Sequence, residues 1–244
     1  MKKFYFLFLL SLGVVHSSNS QVLISLLLGD KLNSDSLEFG LVGGVNFAHT
    51  SGLEDSHMMG AFNLGFYFDF MITEKVSIVP GVLVISTVGA KDMNAYSVND
   101  PEIDAAFAGG HVRREISYFQ VPILFKYKFH PRWYTTIGPQ LALRNGVTDV
   151  FTRDVQSRDD LVYHHDIKEN YKALDAGVTG GLGFLLSKRK KSMSVGVKYY
   201  QGLVDIRKDG INDPLSNGDS MRNNSIYAFM TIPIGAGKAQ KQAE

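Results

Sequence analysis

Long stretches in which apolar and polar residues take alternate positions limit this chain more than any other feature. From Ser117 to Phe129 the odd positions are Phe119, Val121, Ile123, Phe125, Tyr127 and Phe129, and the even ones Tyr118, Gln120, Pro122, Leu124, Lys126 and Lys128. A period of two puts the two sets on opposite faces of an extended strand. Phe62 to Phe70 repeats the split, with Phe62, Leu64, Phe66, Phe68 and Phe70 against Asn63, Gly65, Tyr67 and Asp69. Trp133 to Leu143 and Leu174 to Leu186 do the same. Phe39–Phe47, Met193–Tyr199 and Ile226–Ile234 show less contrast, and Val76–Val88 is apolar on both faces with no clear register.

These make eight segments, mostly about 9 to 14 residues long. A strand that crosses a membrane at a tilt of about 45° needs about 9–11 residues, whereas globular strands cluster near 5–6. The connections alternate. Short ones fall at Thr73–Lys75, His130–Arg132 and Ser187–Lys191, and long polar ones near residues 49–58, 89–113, 146–171 and 205–222. The pattern predicts an all-β fold: an eight-stranded antiparallel up-and-down transmembrane β-barrel with short periplasmic turns and long extracellular loops. A water-soluble β-sandwich or lipocalin-like barrel is the alternative.

The N-terminus fits that destination. Lys2 and Lys3 precede the uncharged run Phe4–Val15, and a polar, small-residue stretch follows to Ser20. Twelve apolar residues would make a helix of only about 18 Å, too short for a hydrocarbon core of about 30 Å. Residues 1–20 therefore read as a signal peptide cleaved before Gln21, with Ser18 as the rival site and an N-terminal anchor helix as the weaker alternative. Residues 21–36 read as a periplasmic segment in which Val22–Leu28 is open to a short helix at the membrane surface, a plug or an extra strand, with the helix favoured; 37–235 reads as the barrel and 236–244 as a polar tail. Past residue 20 the longest uncharged run in the barrel region is Val76–Ala90, only fifteen long and containing Pro80 and Gly81, so a helical membrane protein is excluded.

Several function classes fall away on composition. The net charge is +1 and falls to about −1 once Lys2 and Lys3 are removed, so no basic excess points to nucleic acid. No cysteine occurs, which excludes a disulfide framework, thiolate metal sites and an N-terminal lipid anchor through cysteine.

Particular pieces carry a resemblance. They are Glu38-Phe-Gly-Leu-Val-Gly-Gly-Val-Asn-Phe47, Ser117-Tyr-Phe-Gln-Val-Pro-Ile-Leu-Phe-Lys-Tyr127, Ile137-Gly-Pro-Gln-Leu141, Asp175-Ala-Gly-Val-Thr-Gly-Gly-Leu-Gly-Phe184 and Val197-Lys-Tyr-Tyr-Gln-Gly-Leu203. Together they make residues 37–235 similar to the PorT-like outer-membrane β-barrel family of Bacteroidetes. The resemblance implies a bacterial outer-membrane barrel and says little about activity. Its namesake takes part in secretion of surface proteins. One departure is the polar tail after Ile234, where many such barrels end on an aromatic residue.

With the polar faces inward, the lumen is expected to hold Glu38, Asp69 and Asp175 against Lys126, Lys128, Arg144 and Lys198. Tyr67, Tyr118, Gln120, Tyr134, Gln140, Tyr200 and Tyr227 surround them. An eight-stranded barrel is just wide enough for side chains to fill, so the expected role of this charge network is structural. Catalysis is disfavoured. No Gly-x-Ser-x-Gly occurs, and His49, His57, His111, His164 and His165 fall on predicted outer loops. The acid-rich loops, with Asp149, Asp154, Asp159, Asp160, Asp166 and Glu169 in one and Asp205, Asp209, Asp213 and Asp219 in another, could meet hard cations, but an EF-hand spacing is absent. Gly177–Gly183 lacks a phosphate-loop ending and reads as relief of crowding in a narrow barrel.

The sequence thus favours an outer-membrane barrel of structural, adhesion or partner-binding type, without catalysis, cofactor or metal. Its expected partners are outer-membrane lipid and lipopolysaccharide, with a periplasmic or surface protein besides. The alternative is a transport or secretion accessory with a narrow polar lumen, or a periplasmic docking surface at Lys188–Lys191 and Val22–Ser36. A lipid-modifying outer-membrane enzyme is the weakest reading.

Overall fold

The computed structural model describes residues 36–154, 161–188 and 191–234. The expected signal peptide, nearly all of the 21–36 segment, the polar tail and part of the Lys188–Lys191 turn lie outside the described residues.

Ten strands follow one another: β1 (Leu37–Thr50), β2 (His57–Met71), β3 (Val76–Ile85), β4 (Thr87–Asn94), β5 (His111–Lys128), β6 (Trp133–Arg153), β7 (Leu161–Asp166), β8 (Leu174–Leu185), β9 (Ser194–Gly202) and β10 (Asn223–Pro233). A short helix α1 (Pro101–Phe107) joins β4 to β5, and Asp100 caps it by accepting from the amides of Glu102 and Ile103. Every ladder is antiparallel, and β1 pairs with β10 from Gly40↔Pro233 to Thr50↔Asn223, bringing the ends of the sheet together. The result is an all-β, up-and-down, barrel-like sheet.

Two departures from the expected eight strands share one cause. Along β3 the inward residues are Ser77, Gly81 and Leu83, but past the break at Ser86 they are Ser86, Val88 and Ala90. The inward parity flips from odd to even. β6 flips the other way, from Tyr134, Thr136, Gln140 and Ala142 to Val147, Asp149 and Phe151, where the register to β5 slips between Ser117 and Tyr118. A β-bulge inserts one residue and turns every later side chain to the other face. This is why Val76–Val88 showed no clear register, and why 89–113 and 146–171 read as loops. In fact β4 runs on to Asn94, β5 starts at His111, β6 continues to Arg153 and β7 occupies Leu161–Asp166. The five histidines expected on loops all sit on strands: His49 in β1, His57 in β2, His111 in β5, and His164 and His165 in β7.

Polarity separates two tiers. In the lower tier the outward faces are apolar and exposed: Phe62, Ile123, Phe125, Ile137, Leu182 and Val197 are each 46–57% exposed. The inward faces hold Asp69, Gln120, Gln140 and Thr179, all buried. A water-soluble barrel would reverse this, because large apolar surfaces in contiguous bands are not left to water. From Phe119 on β5 to Phe129, the residue just after it, the outward apolar run is eleven residues, which at a 45° tilt spans about 26 Å, close to the apolar band of outer-membrane barrels. Among the described residues no helix is long and apolar enough to cross a membrane.

In the upper tier the order reverses. The outward residues of β5 become His111, Arg113, Glu115 and Ser117, while Val112 and Ile116 turn inward with no exposure at all. They join an apolar core of Ala48, Val88, Met93, Phe107, Phe151, Ile206 and Met221. This tier sits on the long-loop side and is packed like an ordinary soluble protein.

Candidate functional site

The lower tier encloses a narrow cavity of about 70 Å³, open at one end. Its walls come from the even residues of β5 and β9, the even residues at the start of β6, and the odd residues of β2, all pointed inward by the pleat. Lys126 Nζ meets Asp69 Oδ2 at 2.6 Å and lies 4.5 Å from the Tyr134 ring centre. Glu38 Oε1 accepts from Tyr67 at 2.7 Å. Thr179 donates to Gln140 Oε1 at 2.8 Å and Gln140 donates to Gln120 at 3.0 Å, a polar chain across three strands. The Tyr134, Ser194 and Thr231 hydroxyls form a second chain at 2.7 and 2.6 Å.

Glycines give these large side chains their room. A Cβ on Gly183 would stand 2.1 Å from Tyr134 Cζ, so any side chain there would displace the ring.

Of the charged residues singled out in the sequence, Glu38, Asp69, Lys126, Lys128 and Lys198 line this cavity. Lys198 Nζ rests 4.3 Å from the Phe229 ring centre. Asp175 and Arg144 do not join them. Asp175 belongs to the ceiling, where it accepts from Tyr200 at 3.0 Å and Asn223 at 2.9 Å, and Asn223 reaches Tyr118 at 3.2 Å. Arg144 lies at the β6 bulge and donates to the Tyr171 carbonyl at 2.9 Å. The seven charges therefore form no single network. Mouth residues Met71, Lys128, Leu185 and Ser192 lie at the short-turn end, so the cavity opens there and the ceiling closes it above.

Above the ceiling lies a fully buried charge, which sequence reasoning missed. Arg114 on β5 has no exposed surface. It meets Asp149 on β6 in a bidentate pair, Nε to Oδ1 at 2.7 Å and Nη2 to Oδ2 at 2.6 Å. On its other side it donates to both carboxylate oxygens of Asp213 and, at 2.6 Å, to Tyr171 Oη. Tyr96 donates to Asp149 at 2.8 Å. Burial alone would favour the neutral guanidine, but the hydrogen bond to Asp149 and the charges of Asp149 and Asp213 outweigh it and hold the Arg114 pKa above its ordinary value. Burial raises the Tyr171 and Tyr96 hydroxyls, and the nearby carboxylates push the same way. One arginine thus ties two strands to the 167–173 and 205–222 connections. Asp149 and Asp213 had read as solvated loop acids.

Among the described residues, one serine–histidine contact comes nearest to a catalytic arrangement. Ser56 Oγ lies 3.2 Å from His49 Nε2, but among the described residues no carboxylate bonds the other ring nitrogen, so the base lacks its orienting acid. Among the described residues no group of three or more His, Asp or Glu could hold a metal ion. The Asp205 carboxylate is instead taken by the amides of Arg207 and Met221.

Residues 29–208 match the family described as outer membrane protein beta-barrel domain. No curated protein matches the chain. Among solved structures it is similar to Ail, the attachment invasion locus protein of Yersinia pestis, in complex with the heparin analogue sucrose octasulfate, at 8% identity over 80% of this chain and 97% of that one, with a TM-score of 0.40. Neisserial surface protein A is similar at 11% identity over 80% and 96%, TM-score 0.41. OprG from Pseudomonas aeruginosa is similar at 13% identity over 80% and 93%, TM-score 0.42.

Proposed function

This chain belongs to the outer membrane protein beta-barrel domain family, and from that premise we propose that it is a non-conducting, non-catalytic barrel that presents a rigid outer tier to a partner. It is exported with a cleaved signal peptide, stands in the outer membrane among lipid and lipopolysaccharide, and uses its ten strands as eight staves, with β3 and β4 as one and β7 and β8 as another. Within the family it is similar to the PorT-like barrels of Bacteroidetes through Tyr118-x-x-x-Pro122 and Gly138-Pro-Gln140.

The observation that carries the reading is the buried Arg114 with its two carboxylates. A conducting pore would need a wet path through the upper tier, and that path is filled by an apolar core and a satisfied ion cluster. Buried ion pairs contribute little net stability, but removing one partner is strongly unfavourable, so such a cluster fixes geometry. What it fixes here is the loop-bearing tier, the part that can meet other molecules. Planar-bilayer recording on the refolded protein is the test. The expected result is a silent membrane, and discrete ohmic steps from the wild-type protein would refute the closed barrel and favour transport.

A further inference from the structure

Among the polar groups of the described residues that line the lower cavity, the acceptor atoms Asn63 Oδ1 and Asp69 Oδ1 lack a partner, and two donors are left over by the lumen network, Lys198 and Tyr227. Lys198 on β9 and Tyr227 on β10 are direct cross-strand partners, so their side chains stand on one face, with Cβ atoms about 5 Å apart. Both line the cavity. The Tyr227 hydroxyl is buried and has no hydrogen-bond partner among the described residues, although the residue is only 7% exposed. The Lys198 ammonium has a ring beneath it and, among the described residues, no carboxylate within ion-pair distance; the charge that acts on it is another cation, Lys126, whose own carboxylate is Asp69. Gly181, opposite Lys198, is where its stem runs: a Cβ there would lie 2.8 Å from Lys198 Cγ.

A buried donor without an acceptor is unfavourable, and an ammonium in a partly enclosed pocket calls for a counter-charge. Val42, Leu83 and Phe229 give the adjoining wall an apolar surface. We infer that Lys198 and Tyr227 form the head of a binding site for a small organic carboxylate, entered from the short-turn end. One carboxylate oxygen would accept from the ammonium and the other from the phenol, and the hydrocarbon part would lie on the apolar wall. The pairing of few convergent polar groups with apolar walls is the usual composition of a small-molecule site. One cation and one hydroxyl balance a monoanion, whereas a phosphate dianion would leave one negative charge uncompensated. The site does not depend on whether the barrel conducts.

The test uses the full chain refolded in lipid nanodiscs, titrated with benzoate and read by saturation-transfer NMR, with benzylamine and benzyl alcohol as matched probes. Benzoate is expected to bind saturably and benzylamine not at all. Lys198→Met should weaken benzoate about tenfold or more, and Tyr227→Phe by about three- to tenfold, as expected for loss of hydrogen bonds to a charged group. Tyr227→Phe keeps the ring and so remains informative if Lys198→Met fails to fold. Equal affinity for benzoate and benzylamine, no binding to the wild-type protein, or an unchanged affinity in Tyr227→Phe would each overturn the assignment.

Discussion

Strand β5 runs through both tiers, and it uses the same alternation for opposite ends. Above Ser117 its outward residues are His111, Arg113 and Glu115, with Val112 and Ile116 inward; from Phe119 down the outward residues are apolar, and Gln120, Lys126 and Lys128 turn inward. The difference is one of solvent. Where lipid surrounds the wall, polar groups gain by retreating inward, because hydrocarbon offers them no hydrogen bonds. Where water surrounds it, apolar groups retreat instead. Each tier also holds a buried cation paired with acid, and these differ too. Lys126–Asp69 borders an open cavity, whereas Arg114 is sealed in an apolar core between two carboxylates.

The largest test of this contrast is Arg114→Ala. It leaves Asp149 and Asp213 buried without their cation, and should lower stability by about 3–5 kcal/mol. Because the loss falls in the upper tier, limited proteolysis should cut residues 161–172 or 205–222 in the variant, while unboiled samples keep the fast gel migration of a folded barrel. Loss of that migration would mean that the two tiers fold as one unit.

Ile123→Arg places a charge on the lipid face and should cost about 2–4 kcal/mol near mid-membrane, measured by guanidinium unfolding from liposomes. Gln120→Arg, on the opposite face of the same strand, should be better tolerated. Equal effects would invert the inside and outside assignment. Tyr134→Phe removes one lumen hydroxyl while Ser194 keeps Thr231 as a partner, so the loss should be only about 1 kcal/mol. Smallest of all is Glu115→Gln, on the outward face above the lipid. It should stay within about 0.5 kcal/mol, and a membrane-sized penalty there would move the lipid boundary upward.

Much of the lower tier could be read from the residues. The faces of β2, β5, β6 and β8 follow from alternation alone, since Phe62–Phe70 and Phe119–Phe129 leave one register open. The upper tier could not be read so. Its inward residues switch parity at Ser86 and again near Asn145, and a period search treats such a switch as the end of a strand. The Arg114 cluster was hidden for a second reason. Its acids lie 35 and 99 residues away, and neither separation carries a local signal. Lys198 was placed in the lumen by alternation, but that it faces Tyr227 depends on the β9–β10 register, which only the paired strands supply.

The bulges have a consequence for how such a chain can change. They interrupt the β2–β3, β4–β5 and β5–β6 ladders, whereas β1 runs against β2 and β10 without a slip. On the unslipped side an insertion must come in pairs of residues, or every later side chain faces the wrong solvent. On the slipped side the bulge absorbs an odd residue, and the count begins again above it. Lineages of this protein should therefore vary most freely in length on the β4–β7 flank, where the wall can be raised or lowered one residue at a time without disturbing the part in lipid.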